Sequence, residues 1–206
     1  FDGQGNSIKN MKIENGPDYA AFFGAVENAT VKDLTVEGSV SGSNVAGIAG
    51  RVDGSSKLIN CTNKATVTGT SKAAGIVVKI EANNTLVENC INEGVISGDA
   101  NNNATYAAGI AVFAAEGTFN IKDCKNNGAI SAYRAGGVVY DVSDNGNGSI
   151  TGCTNTGAVT GAYDKVAGIV SVEDSAARNL TISGCKNEGA ISGPNASAIY
   201  AGETTK

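Results

Sequence analysis

The side chains of this chain that could do chemistry are five cysteines, a scatter of carboxylates and a few tyrosines, because it has no histidine and no tryptophan. Without histidine, a Ser–His or Cys–His nucleophile pair cannot be assembled. Mixed Cys/His zinc sites fall for the same reason, and no Cys-x-x-Cys pair is present. The expectation is no metal and no cofactor. Asp53, Glu81, Glu116, Asp144 and Asp174 each follow a recurrent Ala-Gly-Ile-type signature at a similar distance. Paired carboxylates would suit glycoside hydrolysis, and a carboxylate-bound calcium with an Arg or Lys base would suit a polysaccharide lyase. These acids instead come one per repeat, at turns, and Arg51, Arg134 and Arg178 each fall in a different repeat. A solvated edge is the better reading. Asp141-Val-Ser-Asp144-Asn-Gly-Asn-Gly148 has a loose likeness to a calcium loop but lacks alternating oxygen ligands and a closing Glu. Gly69-Thr-Ser-Lys72 lacks phosphate-loop spacing.

Tyrosines offer the one hint of recognition. Tyr19, Tyr106, Tyr133 and Tyr163 each stand just ahead of an Ala-Gly signature. Tyr106, Tyr133 and Tyr163 are the candidate binding residues. On successive stacked coils they would stand roughly 5 Å apart, a row able to stack on sugar rings or grip a peptide. The competing reading is that each ring covers its own loop.

What positions these groups is a repeat. Ile182-Ser-Gly-Cys185-Lys-Asn187-Glu-Gly189-Ala-Ile191-Ser-Gly193 recurs along the chain, and its cysteine position is filled in turn by Met11, Leu34, Cys61, Cys90, Cys124, Cys153 and Cys185. The steps between them are 23, 27, 29, 34, 29 and 32 residues. Self-similarity at that period means stacked units. Three residues earlier comes an apolar residue, Ile8, Val31, Leu58, Val87, Ile121, Ile150 or Ile182; one earlier comes Asn, Asp or Gly, where the chain should bend. Asn63, Asn92, Asn126, Asn155 and Asn187 follow the cysteines by two and predict an asparagine ladder, the alternative being an independent turn residue in each repeat. Val40, Val67, Ile96, Ile130, Val159 and Ile191 should point inward and their neighbours Ser41, Thr68, Ser97, Ser131, Thr160 and Ser192 outward. Ala46-Gly47-Ile48 and its equivalents open a further strand in each repeat.

Each repeat thus offers three short strands, and only stacking can bury their inner faces. The predicted fold is all-β: a right-handed parallel β-helix of about seven coils with three short parallel sheets, the hand following from parallel crossovers. Residues 1–206 read as a single β-helix domain, a fragment of a longer protein. The cysteines should be free buried thiols, since neighbours in a parallel sheet are about 4.8 Å apart and disulfides want Cβ atoms nearer 3.8 Å. A net charge of −5 with no basic cluster argues against nucleic acid and anionic membrane as partners. No apolar stretch approaches a membrane span, so direct insertion is not expected. A paired Ser/Thr surface for ice is confined to Ser39/Ser41 and Thr66/Thr68, because Val95, Ala129, Ala158 and Ala190 follow.

Phe1-Asp-Gly-Gln-Gly-Asn-Ser-Ile-Lys-Asn-Met-Lys-Ile13 resembles the first coil of bacterial surface β-helices. Tyr19-Ala-Ala-Phe-Phe-Gly24 followed by Ala29-Thr-Val-Lys-Asp-Leu-Thr-Val36 is similar to the GLUG-type repeat, with Ala21 where that repeat usually has Gly. The Ala-Gly-Ile and Cys-x-Asn-x-Gly blocks look like those of large secreted proteins of gut Bacteroidetes. The resemblance covers nearly all of the chain. It implies a pectin lyase-like fold and an extracellular location at the bacterial cell surface. GLUG-type repeats occur in adhesin-like proteins and beside the catalytic domain of some immunoglobulin A peptidases. Asp174-Ser175-Ala176 also matches the O-glycosylation sequon of exported Bacteroidetes proteins. The expected function is a non-catalytic adhesin-like module, binding a glycan or host surface protein or acting as a rigid stalk. The alternatives are a carbohydrate-active β-helix enzyme and a pure spacer. Any ligand should use the tyrosine side rather than the Ser/Thr face.

Overall fold

The computed structural model describes residues 1–81, 84–115, 117–142, 147–171 and 179–201. The bends come where small polar residues and glycine allow them. Asp33, Asn60, Asn89, Asp123, Gly152 and Gly184 all adopt left-handed backbone, with φ between 52° and 64°. Asn60, Asn89, Asp123, Gly152 and Gly184 each separate one strand from the next, while Asp33 bends the strand Thr30–Ala46 from within.

The coil carrying Cys124 shows the pattern. It runs through the strands Tyr106–Ala108, Ala111–Ala114, Thr118–Lys122, Lys125–Asn126 and Ile130–Ala132. Each pairs in parallel with its equivalents in the coils before and after. Val87, Ile121 and Ile150 align in register, as do Ile96, Ile130 and Val159. Among the described residues there is no helix, and the ladders join into a 19-stranded sheet and a five-stranded sheet. The fold is a parallel β-solenoid of about six turns. That is one fewer than the sequence count of about seven. Of the three strands expected per repeat, the one that the Ala-Gly signature opens forms the smaller sheet, and the other two belong to the larger, which the long strands Asp2–Gly16, Thr30–Ala46 and Thr66–Ala74 make continuous.

Two apolar columns fill the interior. The larger holds Leu58, Val87, Ile121 and Ile150 with Ile48, Ile76, Ile110 and Ile169; the second holds Val67, Ile96, Ile130 and Val159 with Ala73 and Ala107. Burying such an aliphatic side chain contributes about 1.5–3 kcal/mol. Cys61, Cys90, Cys124 and Cys153 lie fully inside, Cys185 is half-buried, and all five are free. Each thiol points at backbone carbonyls, as Cys124 Sγ does at Lys122 O (3.3 Å) and Val87 O (3.4 Å). Burial pushes the Cys90 and Cys124 thiols up, so they stay protonated. A thiol reagent should therefore label the native protein slowly, Cys185 first, and reach five thiols only after unfolding. Prompt reaction of all five in the folded state would contradict this packing.

The first coil corrects the sequence reading. Leu34 does occupy the cysteine column, because Thr35 pairs with Thr62. Met11 does not: it pairs with Gly38, Ile8 pairs with Val36, and Asn6 stands opposite Leu34. The cause is a second left-handed residue. Gly5 (φ 73°) makes the bend equivalent to Asp33, and Asn10 (φ 57°) adds another, which accompanies a register shift between Ile8 and Met11. The residue after Asn10 therefore mimics a cysteine position without holding one.

The asparagine ladder exists. Asn63 Nδ2 donates to Asn92 Oδ1 at 2.8 Å, and Asn92→Asn126, Asn126→Asn155 and Asn155→Asn187 follow at 2.7 Å each. Each amide also donates to the carbonyl two residues on, as Asn126 Nδ2 does to Gly128 O (2.9 Å). Asn63, Asn92, Asn126 and Asn155 are fully buried. Glycine makes room for them: a Cβ on Gly109 would lie 2.5 Å from Asn126 Cγ, and one on Gly157 2.9 Å from Asn126 Nδ2. The ladder is thus walled by the Ala-Gly glycines on one side and the Cys-x-Asn-x-Gly glycines on another. Both fully paired and dry, such amides hold coils in register.

Candidate functional site

Alternation along Tyr106–Ala108 creates the site. Ala107 packs into the second core column, so Tyr106 and Ala108 face the opposite side of the strand. There they meet residues of the five-stranded sheet, because the chain turns between Ala108 and Ala111. Ala46, Ala74, Ala108, Val78, Val112 and Tyr140 form a separate buried cluster, an apolar floor outside the two main columns. In-register residues Asn44, Lys72, Tyr106 and Arg134 line one side of this crease. Arg51, Lys79, Phe113 and Asp141 align in register on the other.

Aromatic and cationic groups interleave along the crease. Tyr106 packs against Phe113 (centroids 5.4 Å apart) and Tyr140 (5.2 Å). The Arg134 guanidinium carbon lies 5.1 Å from the Tyr106 ring and 4.6 Å from the Tyr163 ring, and Arg134 Nη1 donates to Tyr106 Oη at 2.6 Å. Tyr163 stacks on Tyr133 at 5.2 Å with an interplanar angle of 25°. Lys72 Nζ sits 5.6 Å from the Phe113 centroid and 6.0 Å from that of Tyr106. Burial lowers the Lys72 ammonium from its ordinary value. Tyr163 is the exposed member, at 38%.

Tyr106, Tyr133 and Tyr163 do meet, though not as a simple row. Tyr133 and Tyr163 touch directly, while Tyr106 joins them through Arg134. Tyr19 packs against the same apolar floor. On the opposite choice of face, Ser41, Thr68, Ser97, Ser131, Thr160 and Ser192 stand in register as expected, with Thr68 and Ser97 hydroxyls 3.2 Å apart. That face carries short hydroxyls, alanines and one exposed Val95.

No family model matches the chain. Over 92 residues it is 36% identical to Halomucin of Haloquadratum walsbyi, a match covering 43% of this chain and 1% of that protein's length. The crystal structure of a "putative immunoglobulin A1 protease" from Bacteroides ovatus superposes with a TM-score of 0.71. That likeness covers 97% of this chain and 68% of the other at 22% identity, so it is one of fold. A parallel β-solenoid is common to both.

The acidic residues sort differently from the tyrosines. Asp53 and Glu81 are bridged by Arg51, whose Nε lies 2.8 Å from Asp53 and whose Nη1 lies 3.4 Å from Glu81; Lys79 also pairs with Glu81. Burial raises the Asp53 carboxyl, with Arg51 acting against it. Glu116, Asp144, Asp174 and the 174–176 sequon lie outside the described residues, as do Arg178 and residues 143–146 of the loop read as calcium-like. Sequence reasoning missed Lys72, Phe113, Arg134 and Tyr140 as partners of the tyrosines. Their signal was present in part: Lys72, Tyr106 and Arg134 each stand three residues before the glycine of the signature (Gly75, Gly109 and Gly137), so alignment on that glycine puts them in one column.

Proposed function

We propose that this chain is a non-catalytic extracellular module of an adhesin-like bacterial surface protein, and that it engages a glycan or host surface protein through the tyrosine crease. The observation that carries the reading is the Tyr106–Arg134–Tyr163–Tyr133 stack, which gathers ring faces and cations at one place on the surface of a solenoid. Aromatic faces flanked by cations suit sugar rings and polar surfaces. The GLUG-like motif and the Bacteroides ovatus fold likeness support a surface setting. A carbohydrate-active enzyme would need free carboxylates, and Asp53 and Glu81 are held by Arg51 and Lys79. The unbroken amide ladder also favours a stiff rod, so stalk and binding roles are compatible.

A glycan and host-protein array probed with this chain tests the reading. Tyr133→Ala/Tyr163→Ala should abolish the signals with little change in melting temperature, because Tyr163 is exposed and neither ring belongs to the apolar clusters of the interior. Tyr106→Ala should lower stability by about 2–4 kcal/mol, since its ring covers the apolar floor. Full binding by the stable double variant would remove the tyrosines from the site.

A further inference from the structure

Lys72 stands apart from the other cations of the crease. Arg51 and Lys79 have carboxylate partners. Lys72 is half-buried, and its one hydrogen bond among the described residues goes to a neutral amide, Asn44 Oδ1, at 3.2 Å. Asn44 in turn donates its Nδ2 to Asp18 Oδ1 at 3.1 Å, so it stands between the ammonium and that carboxylate. The ammonium has three donors and uses one. It sits beside the faces of Tyr106 and Phe113. In a chain with more acids than bases, a half-buried lysine with no ion pair among the described residues, which Asp18 reaches only at longer range, points to an anion supplied from outside.

We propose that Lys72 is the specificity-determining residue of a site for acidic glycans, its ammonium taking the carboxylate or sulfate beside the Tyr106 and Phe113 rings. This rests on the surface-binding reading above and narrows it to one ligand chemistry. The backbone argues for a glycan over a peptide. Tyr106–Ala108 is hydrogen-bonded to Thr66–Ala74 and Arg134–Gly136, and Ala111–Ala114 to Val77–Ile80 and Val139–Asp141. Neither strand offers a free edge to an extended peptide, which commonly binds by strand addition. Recognition must come from charge and ring faces, and these are the groups an acidic sugar needs. Asn44, next to Lys72 in the column, adds a neutral amide for sugar hydroxyls.

Binding of the whole chain to immobilised heparin, polygalacturonate and dextran tests this, with Lys72→Met and Lys72→Arg alongside. Heparin carries sulfate, polygalacturonate carboxylate alone, and dextran no charge, so the arms separate the two anion sources. The parent should bind at least one charged polymer, more weakly as salt rises, and not dextran. Lys72→Met should bind at least tenfold more weakly with its native thiols still protected. Lys72→Arg should stay within about threefold of the parent, because the charge remains. Equal binding by parent and Lys72→Met overturns the assignment but leaves the surface-binding reading standing, as does binding to dextran in preference to both acids. Failure to bind any of the three, with no signal on the array either, overturns both. A Lys72→Met variant that loses thiol protection, with Lys72→Arg folded yet non-binding, makes Lys72 a packing residue and also overturns it.

Discussion

Replacing Ile130 by Asp should unfold the central coils, whereas Ser131→Asp one residue later should be nearly silent. Ile130 is 2% exposed, stacked between Ile96 and Val159 in the second core column, and Ser131 is on the outer face. No cation lies in that column to compensate a carboxylate, so the loss should exceed about 4 kcal/mol. Burial would raise the folded pKa of the new Asp above its unfolded value of about 3.9. A raised folded pKa means the variant is least destabilised below that unfolded value and loses stability as pH rises through the folded one. Thermal melts at pH 4 and pH 7 read this directly. Coils in a solenoid depend on their neighbours, so the damage should spread. The thiols report it: Cys124 and Cys153 should become reactive before Cys61. Equal melting temperatures for the two variants would show that the inside–outside assignment is wrong.

Much of the architecture was legible because each coil repeats the same physical demands. The left-handed bends before the cysteines needed Asn, Asp or Gly, and the period-two alternation around Ile130 needed a buried and an exposed side. Both are local properties. Met11 was misplaced because Gly5 and Asn10 are equally able to bend the chain, and only pairing with Gly38 decides between them. The crease was half legible. Tyrosines announce themselves in a sequence with no tryptophan, but the side chains that join them arrive from other coils and from the other sheet. Phe113 and Tyr140 look like ordinary strand residues until the turn after Ala108 brings them against Tyr106.

One rule of the fold is written in the chain yet emerges only with the structure in hand. In five coils a glycine of the Ala-Gly pair abuts the asparagine of the ladder: Gly47 with Asn63, Gly75 with Asn92, Gly109 with Asn126, Gly137 with Asn155 and Gly168 with Asn187. In the earlier coil Val36 stands in the asparagine column, and Ala20-Ala21-Phe22 carries no glycine. Glycine and asparagine are thus absent together. The glycine is there to admit the amide, and in that coil Val36 and Phe22 belong to the larger apolar cluster instead.

Asn126→Ala should accordingly be among the most damaging single truncations. Asn126 is fully buried and makes three bonds: it accepts from Asn92, and it donates to Asn155 and to Gly128 O. Truncation leaves one donor and two acceptors without their partners in a dry interior, at about 1–3 kcal/mol each. Glycine columns on two sides give the neighbours little side-chain bulk with which to fill the gap. The total loss should be about 3–6 kcal/mol. Asn127→Ala is the control, since Asn127 is exposed and its side chain accepts from Thr156 Oγ1 at 2.9 Å at the surface; it should cost under about 0.5 kcal/mol. Urea unfolding of the three proteins measures the difference. Asn126→Asp sharpens it, because a carboxylate cannot donate to Asn155 or Gly128 and meets their oxygens instead. Its folded pKa is raised, so its stability should fall as pH rises from 4 to 7. A midpoint for Asn126→Ala within error of Asn127→Ala would mean that the stacked sheets alone hold the coils in register and that the amides merely accompany them.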